Sequence, residues 1–224
     1  MITYLPHRGM RQGKGRIMLA IIDYGVGNLF SLSRSLDYLG VECQITRSLA
    51  ELKAADRILL PGVGAFGDAR QKLVELSLIE PIQELAATGK PFLGICLGMQ
   101  LLFDSSEEFG THAGLGLIPG RIVSMQSAFE EAKLNLKVPQ IGWNRLNVRK
   151  ESPLVSGLGE QDFVYYVHSY FAADCQEYVV ADSDYGLAIP GIVQKDNVFG
   201  TQFHPEKSGA VGLKILKAFT EVPL

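Results

Sequence analysis

The sequence predicts an α/β fold: a central, mostly parallel sheet flanked by helices, with an antiparallel β extension. Three observations carry this reading. Up to about residue 103, short apolar runs alternate with helical patterns, the signature of a parallel sheet covered on both faces. Past residue 110 the texture changes to strand-like runs, several of them separated by turn residues. Helical periodicity then returns only in "GAVGLKILKAF", where Val211, Ile215, Leu216 and Phe219 share a face.

Taken in order, "IMLAIID" reads as the first strand. "GNLFSLSRSLDYLG" reads as a helix, with Leu29, Leu32, Leu36 and Leu39 on one face and Gly40 as its stop. "VECQIT" and "RILLP" are short strands with a helical piece between them. "GDARQKLVELSLIEPIQELAATG" is a long helix or a broken pair, interrupted at Pro81. Pro91 to Ile95 form a buried strand, and Met99, Leu102 and Phe103 lie on one face of the helix that follows. "LGLIPGRIVSM", "QIGWNRLNV", "DFVYYVHSYFA", "EYVVADSDY", "LAIPGIVQKD" and "NVFGTQFH" read as strands, and the polar "SAFEEAKLNLK" as a loop.

Bulk composition narrows the class. The chain has 224 residues, 47% hydrophobic and 20% charged, enough for a full core. A net charge of −3 gives no reason to expect a nucleic-acid partner, and no apolar run reaches the roughly 18 residues that cross a membrane. Cys43, Cys96 and Cys175 are few, odd in number and far apart. They fit a reducing, cytoplasmic setting and argue against a disulfide framework or a zinc site. The first sixteen residues carry four basic groups and no acidic one, so the other 208 carry 17 basic and 24 acidic groups, a balance of −7. Residues 1–17 are expected to be a disordered leader or a start-site artefact ahead of Met18, and residues 18–224 a single domain. "GVGNLF" has Phe30 where a dinucleotide fingerprint needs its third glycine, which argues against that function.

One stretch carries chemistry. "Gly94-Ile95-Cys96-Leu97-Gly98" has the form of a nucleophile elbow with cysteine in place of serine. The two glycines let strand and helix cross closely. The elbow sets the sulfur at a helix N-terminus, where the dipole and free N–H groups favour a thiolate. Cys43 and Cys175 have no such setting and read as structural thiols. A nucleophile needs a base, and the base an orienter. Of four histidines, His7 is in the leader, His112 in a loop, His168 inside a strand, and His204 at the end of the last strand in "HPE". On an extended backbone His204 and Glu206 point the same way, so Glu206 can hold one ring nitrogen while the other meets the sulfur. His168 is the rival base. The Leu97 N–H is one oxyanion donor, and the turn at Gly62, Val63 and Gly64 can supply a second. Gln100, one helical turn beyond Cys96, can face the same pocket.

"GICLGMQ" and "HPE" together resemble the class I (triad) glutamine amidotransferases. "IDYGVGNLFSL", "PGVGAFGDA", "PQIGWN", "YVHSYF" and "TQFHPEKS" bring the resemblance closer to the glutaminase subunits of imidazole glycerol phosphate synthase, over almost everything from Met18 onward. It implies hydrolysis of L-glutamine to glutamate and ammonia through a thioester on Cys96, with His204 and Glu206 completing the triad. It implies substrate and oxyanion contacts from Gly62, Val63, Gly64, Leu97, Gln100, His168, Ser169 and Tyr170, with the Val63 backbone as the mobile oxyanion piece. It also implies a heterodimer with a (β/α)₈-barrel cyclase subunit, with Asn28, Tyr165 and Lys207 near the interface and no cofactor or metal. The ammonia would cross the barrel, and the products would be imidazole glycerol phosphate and an aminoimidazole carboxamide ribotide. Gln140 departs from the histidine expected there, which puts that position's interface role in doubt. The alternatives are a sister glutaminase feeding another synthase, for example in sugar amidation, a stand-alone cysteine hydrolase, or a catalytically silent binding subunit.

Overall fold

The computed structural model describes residues 18–224; the leader, with His7, lies outside the described residues. The first half alternates strand and helix: β1 (Leu19–Ile22), α1 (Leu29–Tyr38), β2 (Cys43–Thr46), α2 (Leu49–Ala54), β3 (Arg57–Gly62), α3 (Phe66–Glu75), α4 (Ile79–Ala87), β4 (Phe92–Cys96) and α5 (Leu97–Leu101). Then come β5 (Phe103–Ser106), β6 (His112–Ala113), β7 (Ile118–Ser124), α6 (Met125–Glu131), β8 (Gln140–Arg145) and β9 (Asn147–Val148). β10 (Phe163–His168), β11 (Tyr170–Ala173), β12 (Val179–Asp184), β13 (Ala188–Lys195), β14 (Val198–Thr201) and α7 (Gly209–Glu221) complete the chain.

The main sheet has the order β2-β1-β3-β4-β14-β13-β12-β9. Its pairs are parallel from β2 to β14 and antiparallel from β14 to β9, as the change of texture along the sequence predicts. Alternation along each strand fills a core on each face. Ala20, Ile22, Ile58 and Leu60 pack on one side with α3 and α4; Leu19, Ile21 and Leu59 pack on the other with α1 and α7. Two smaller sheets, β10-β8 and β11-β7-β5-β6, lie beside this layer. Gly62 pairs with Cys96, and Thr201 with Ile95. The carboxyl ends of β3, β4 and β14 therefore open at one place, where open α/β sheets bind their ligands.

Several local expectations change. The helix after β3 breaks at Ser77, not Pro81. Ser77 takes φ +53, and the bonds Ser77 N to Val74 O and Leu78 N to Leu73 O close α3 in a Schellman pattern. Pro81 falls in the first turn of α4, where its missing N–H costs nothing. Gly40 closes α1 in the same way, as expected, at φ +71. The helix after Cys96 is one short turn, and Phe103 already belongs to β5. Part of "SAFEEAKLNLK" is helical: Ser124 caps α6 by accepting from Ser127 N, and Met125 and Phe129, four apart, are buried. "DFVYYVHSYFA" and "QIGWNRLNV" are each split between two sheets, at Ser169 and Leu146. His112 sits in the short strand β6 rather than in a loop.

Candidate active site

Cys96 ends β4 at φ +55 and ψ −110, a conformation that costs a non-glycine residue about 1–3 kcal/mol. The packing that holds it there needs both flanking glycines. A Cβ on Gly98 would lie 1.7 Å from the Leu60 carbonyl oxygen, and one on Gly94 2.6 Å from the Gly98 oxygen. With only five residues in α5, the helix dipole at the sulfur is smaller than a full helix would give.

His204 follows β14 and is almost fully buried. Its Nδ1 lies 2.8 Å from Glu206 Oε1; a carboxylate accepts, so Nδ1 carries the proton. Alternation along an extended backbone would bring the two side chains together, but Pro205–Lys207 form a 3₁₀ turn. Pro205 starts that turn, and the turn rather than strand alternation brings the carboxylate to the ring. Backbone bonds fix the imidazole's place: His204 N donates to Tyr165 O at 3.1 Å, and Ser208 Oγ donates to His204 O at 2.7 Å. Nε2 is buried without a hydrogen bond. Burial pulls the imidazole down, but Cys96 and Glu206 together outweigh it and raise His204 to about 10.

Cys96 and His204 line one cavity of about 420 Å³, a size suited to a small ligand. Val63, Gly64, Leu97, Gln100, His168, Ser169 and Tyr170 line it too, and so does Lys207, which the resemblance had placed at the interface. Gly62 borders a narrow cleft beside it, with Asn28, Pro61, His204 and Glu206. Asn28 also caps α1, its Oδ1 accepting from Ser31 N at 3.3 Å and its Nδ2 donating to Ser31 Oγ at 2.8 Å. Tyr165 lies elsewhere, edge-on to Trp143 with ring centroids 5.9 Å apart. A wider depression of about 770 Å³ at residues 148–156 is lined by neither cysteine nor histidine.

His168, like His204, is buried, lines the cavity and has an unpartnered Nε2, but a carbonyl rather than a carboxylate faces its Nδ1. Its Nδ1 faces the Tyr170 carbonyl at 2.8 Å, which fixes the proton there. Burial, helped by the neighbouring His204, lowers it to about 4. The other thiols are held protonated: burial raises Cys43, and it pushes Cys175 up to about 12.

Two residues of this site were missed. Gln202 Nε2 reaches toward Cys96 Sγ at 3.9 Å, and its Oε1 accepts from Gln100 Nε2, which also donates to Tyr170 O. Gln202 lies two before His204, so period-2 alternation could have found it. Glu108 lines the cavity and accepts from Phe66 N at 2.6 Å; burial raises its carboxyl over the lowering effect of that bond. Its loop, "SSEEF", carries no motif. Among the described residues no group of three or more His, Cys, Asp or Glu is arranged to hold a metal ion.

The family model for glutamine amidotransferase class-I matches residues 20–221. The chain belongs to the class-I glutamine amidotransferases. Within that family it resembles proteins named imidazole glycerol phosphate synthase subunit HisH. The one from Bacillus cereus (strain B4264) is 50% identical over 206 residues, covering 92% of this chain and 95% of that protein. The one from Bacillus subtilis (strain 168) is 48% identical, covering 92% and 96%. Among solved structures, a glutamine amidotransferase superposes with a TM-score of 0.70 at 18% identity, covering 91% of this chain and 97% of that one. The structure of PurLQS from Thermotoga maritima gives 0.68 at 19%, with the same coverage. At such identities the likeness speaks for the amidotransferase fold alone. Cys96 and His204 both stand in the matched region, at the shared edge of β3, β4 and β14.

Proposed function

We propose that this chain hydrolyses L-glutamine through a thioester on Cys96 and delivers the ammonia to a cyclase subunit, as the glutaminase of imidazole glycerol phosphate synthase in histidine biosynthesis. The observation that carries the chemistry is one cavity lined by an elbow cysteine and by a buried histidine paired with a carboxylate. The names of the HisH relatives support the pathway.

The steps follow from the positions. Cys96 Sγ, having already given its proton to His204 Nε2, attacks the side-chain amide carbon. The Leu97 N–H and a backbone N–H at Val63 or Gly64 receive the developing oxyanion. When the C–N bond breaks, His204 returns its proton to the leaving nitrogen, and ammonia departs from the γ-glutamyl thioester. Water then attacks the thioester, giving its proton to His204, and the sulfur leaves as glutamate forms. Glu206 keeps the Nδ1–H tautomer and stabilises the imidazolium. Glu108 offers an anionic group to the substrate's ammonium.

The outer face of the β8–β10 pair supports a docked partner. Ile141 faces Val167 and Trp143 faces Tyr165 across the two strands. Ile141 is 61% exposed and Trp143 53%, and Val167 continues into the cavity wall. An apolar strip at a catalytic mouth is a feature of docking surfaces. Such a seal would deliver neutral ammonia before water can protonate it. No described helix is long and apolar enough to cross a membrane, in keeping with a cytoplasmic complex.

The test is glutamate release by the purified chain, alone and with the cyclase, with and without the cyclase's ribulose-type substrate. Release that is low alone and rises with the liganded partner is expected. Cys96→Ser should abolish it while ammonium salts still support product formation by the complex. High release alone, indifferent to the cyclase, would move the reading to a stand-alone hydrolase or another synthase.

A further inference from the structure

Tyr24 lies just beyond β1, is 1% exposed, and packs in the core with Phe66, Leu97 and Met99. Its hydroxyl is buried and has no hydrogen-bond partner. Phenylalanine would fill the same space without that cost, so the missing partner needs an explanation. The hydroxyl's position supplies one. It lies against Gly62, where an added Cβ would stand 2.5 Å from the phenolic oxygen and 3.0 Å from Leu97 Cβ and Gly98 N. Gly62 opens the loop whose next two residues, Val63 and Gly64, line the cavity with Cys96. The phenol therefore sits at the base of the oxyanion loop, on the side where β3 packs against the first turn of α5.

A peptide unit is planar, and its N–H and C=O point in opposite directions. Turning the Val63 N–H toward the developing oxyanion swings the Gly62 carbonyl away from the cavity, toward the buried side. We propose that Tyr24 is a positioning residue for this loop: its hydroxyl donates to the Gly62 carbonyl when the Gly62–Val63 peptide presents its N–H to the substrate. In this structure the phenol donates to no carbonyl, and Gly62 pairs with Cys96 along β3 and β4 instead. A hydrogen bond made only in the active setting stabilises the transition state without tightening substrate binding. The inference deepens the proposed function and rests on Cys96 being the nucleophile.

The experiment compares Tyr24→Phe with the unaltered chain, each in complex with the cyclase. It measures kcat and KM for glutamine, the rate of Cys96 alkylation by iodoacetamide, and Tm. Displacement of iodide builds no oxyanion, so alkylation reports the thiol without the loop. The expected result is kcat lower by about three- to tenfold, the range of one hydrogen bond, with KM and alkylation changed less than twofold and Tm unchanged or higher. Two results overturn the proposal: kcat within twofold of the unaltered chain, or kcat, alkylation and Tm falling together, which would make the phenol a packing group. Absence of glutamine hydrolysis by the unaltered complex would instead overturn the glutaminase reading itself.

Discussion

Gly98 offers the sharpest test of how the elbow is held. In Gly98→Ala the new Cβ would lie 1.7 Å from the Leu60 carbonyl oxygen, 1.7 Å short of the 3.4 Å at which ordinary contact begins. The obstacle is backbone in the centre of the sheet, so no side chain can swing aside. Either α5 lifts from β3 or β3 bends. Overpacking of this kind costs about 1–3 kcal/mol or more, and alanine's helix preference returns at most about 1 kcal/mol. A net loss of roughly 2 kcal/mol lowers Tm by about 4–8 °C in a chain of this size. The catalytic cost is larger, because Cys96 directly precedes α5 and moves with it; a displacement of about 1 Å can cost on the order of 100-fold in rate. Thermal melts and glutamate release by the cyclase complex measure the two effects. Gly157→Ala is the control, since nothing stands within 4 Å of its added Cβ, and it should be silent. A Gly98→Ala variant with the parent's Tm and activity within threefold would refute the reasoning.

Two further outcomes concern the histidine. Glu206→Gln keeps an acceptor for Nδ1–H but replaces a charge-assisted bond by a neutral one, a loss of about 1–1.5 kcal/mol, so kcat should fall about five- to fifteenfold. His204→Ala removes the base and should cost about 100-fold or more; an equal or larger loss in Glu206→Gln would reverse the assigned roles. The raised imidazole also links stability to pH. With His204 at about 10 in the folded chain, against an ordinary value of 6.5, its contribution is fully present below about pH 6.5 and is lost as pH rises through 10. Urea unfolding across this range should show the unaltered chain losing more stability than His204→Gln, and parallel profiles would contradict the shift.

The candidate catalytic residues were legible because each is announced locally. Two glycines four apart around a cysteine are needed where strand and helix backbones cross, and a proline between histidine and glutamate marks where a strand must stop. What stayed hidden depends on register or on short patterns. The Gln202–Cys96 contact exists because β14 pairs with β4 so that Thr201 stands beside Ile95; alternation can put Gln202 on the face of His204, but nothing in either segment specifies Cys96 as its neighbour. Glu108 reaches the cavity because its carboxylate accepts from the first N–H of α3, 42 residues away. Helix α6 buries only Met125 and Phe129, a stripe too short to stand out from its polar surroundings. The 3₁₀ turn at Pro205 was missed for a different reason: strand alternation and the turn both place Glu206 beside His204, so a wrong local conformation led to the right contact.

The position of Tyr165 joins the two halves of the proposed function. Its side chain contributes to the apolar outer face, edge-on to Trp143, and does not line the cavity. Its backbone, however, accepts from His204 N, and its N–H donates to Ser208 Oγ at 2.9 Å, whose hydroxyl proton goes to the His204 carbonyl. Inward-facing neighbours Val164 and Tyr166 anchor the strand in the core. One residue of β10 thus presents a ring to the proposed docking face and holds the peptide of the candidate catalytic histidine from behind. A partner pressing on Trp143 and Tyr165 would load the strand from which His204 hangs, while the loop at Val63 is set separately through Gly62. The proposed base and oxyanion donor therefore reach the cavity after two different strands of one sheet, β14 and β3, and a partner covering the mouth where they converge is placed to bring both into line with Cys96.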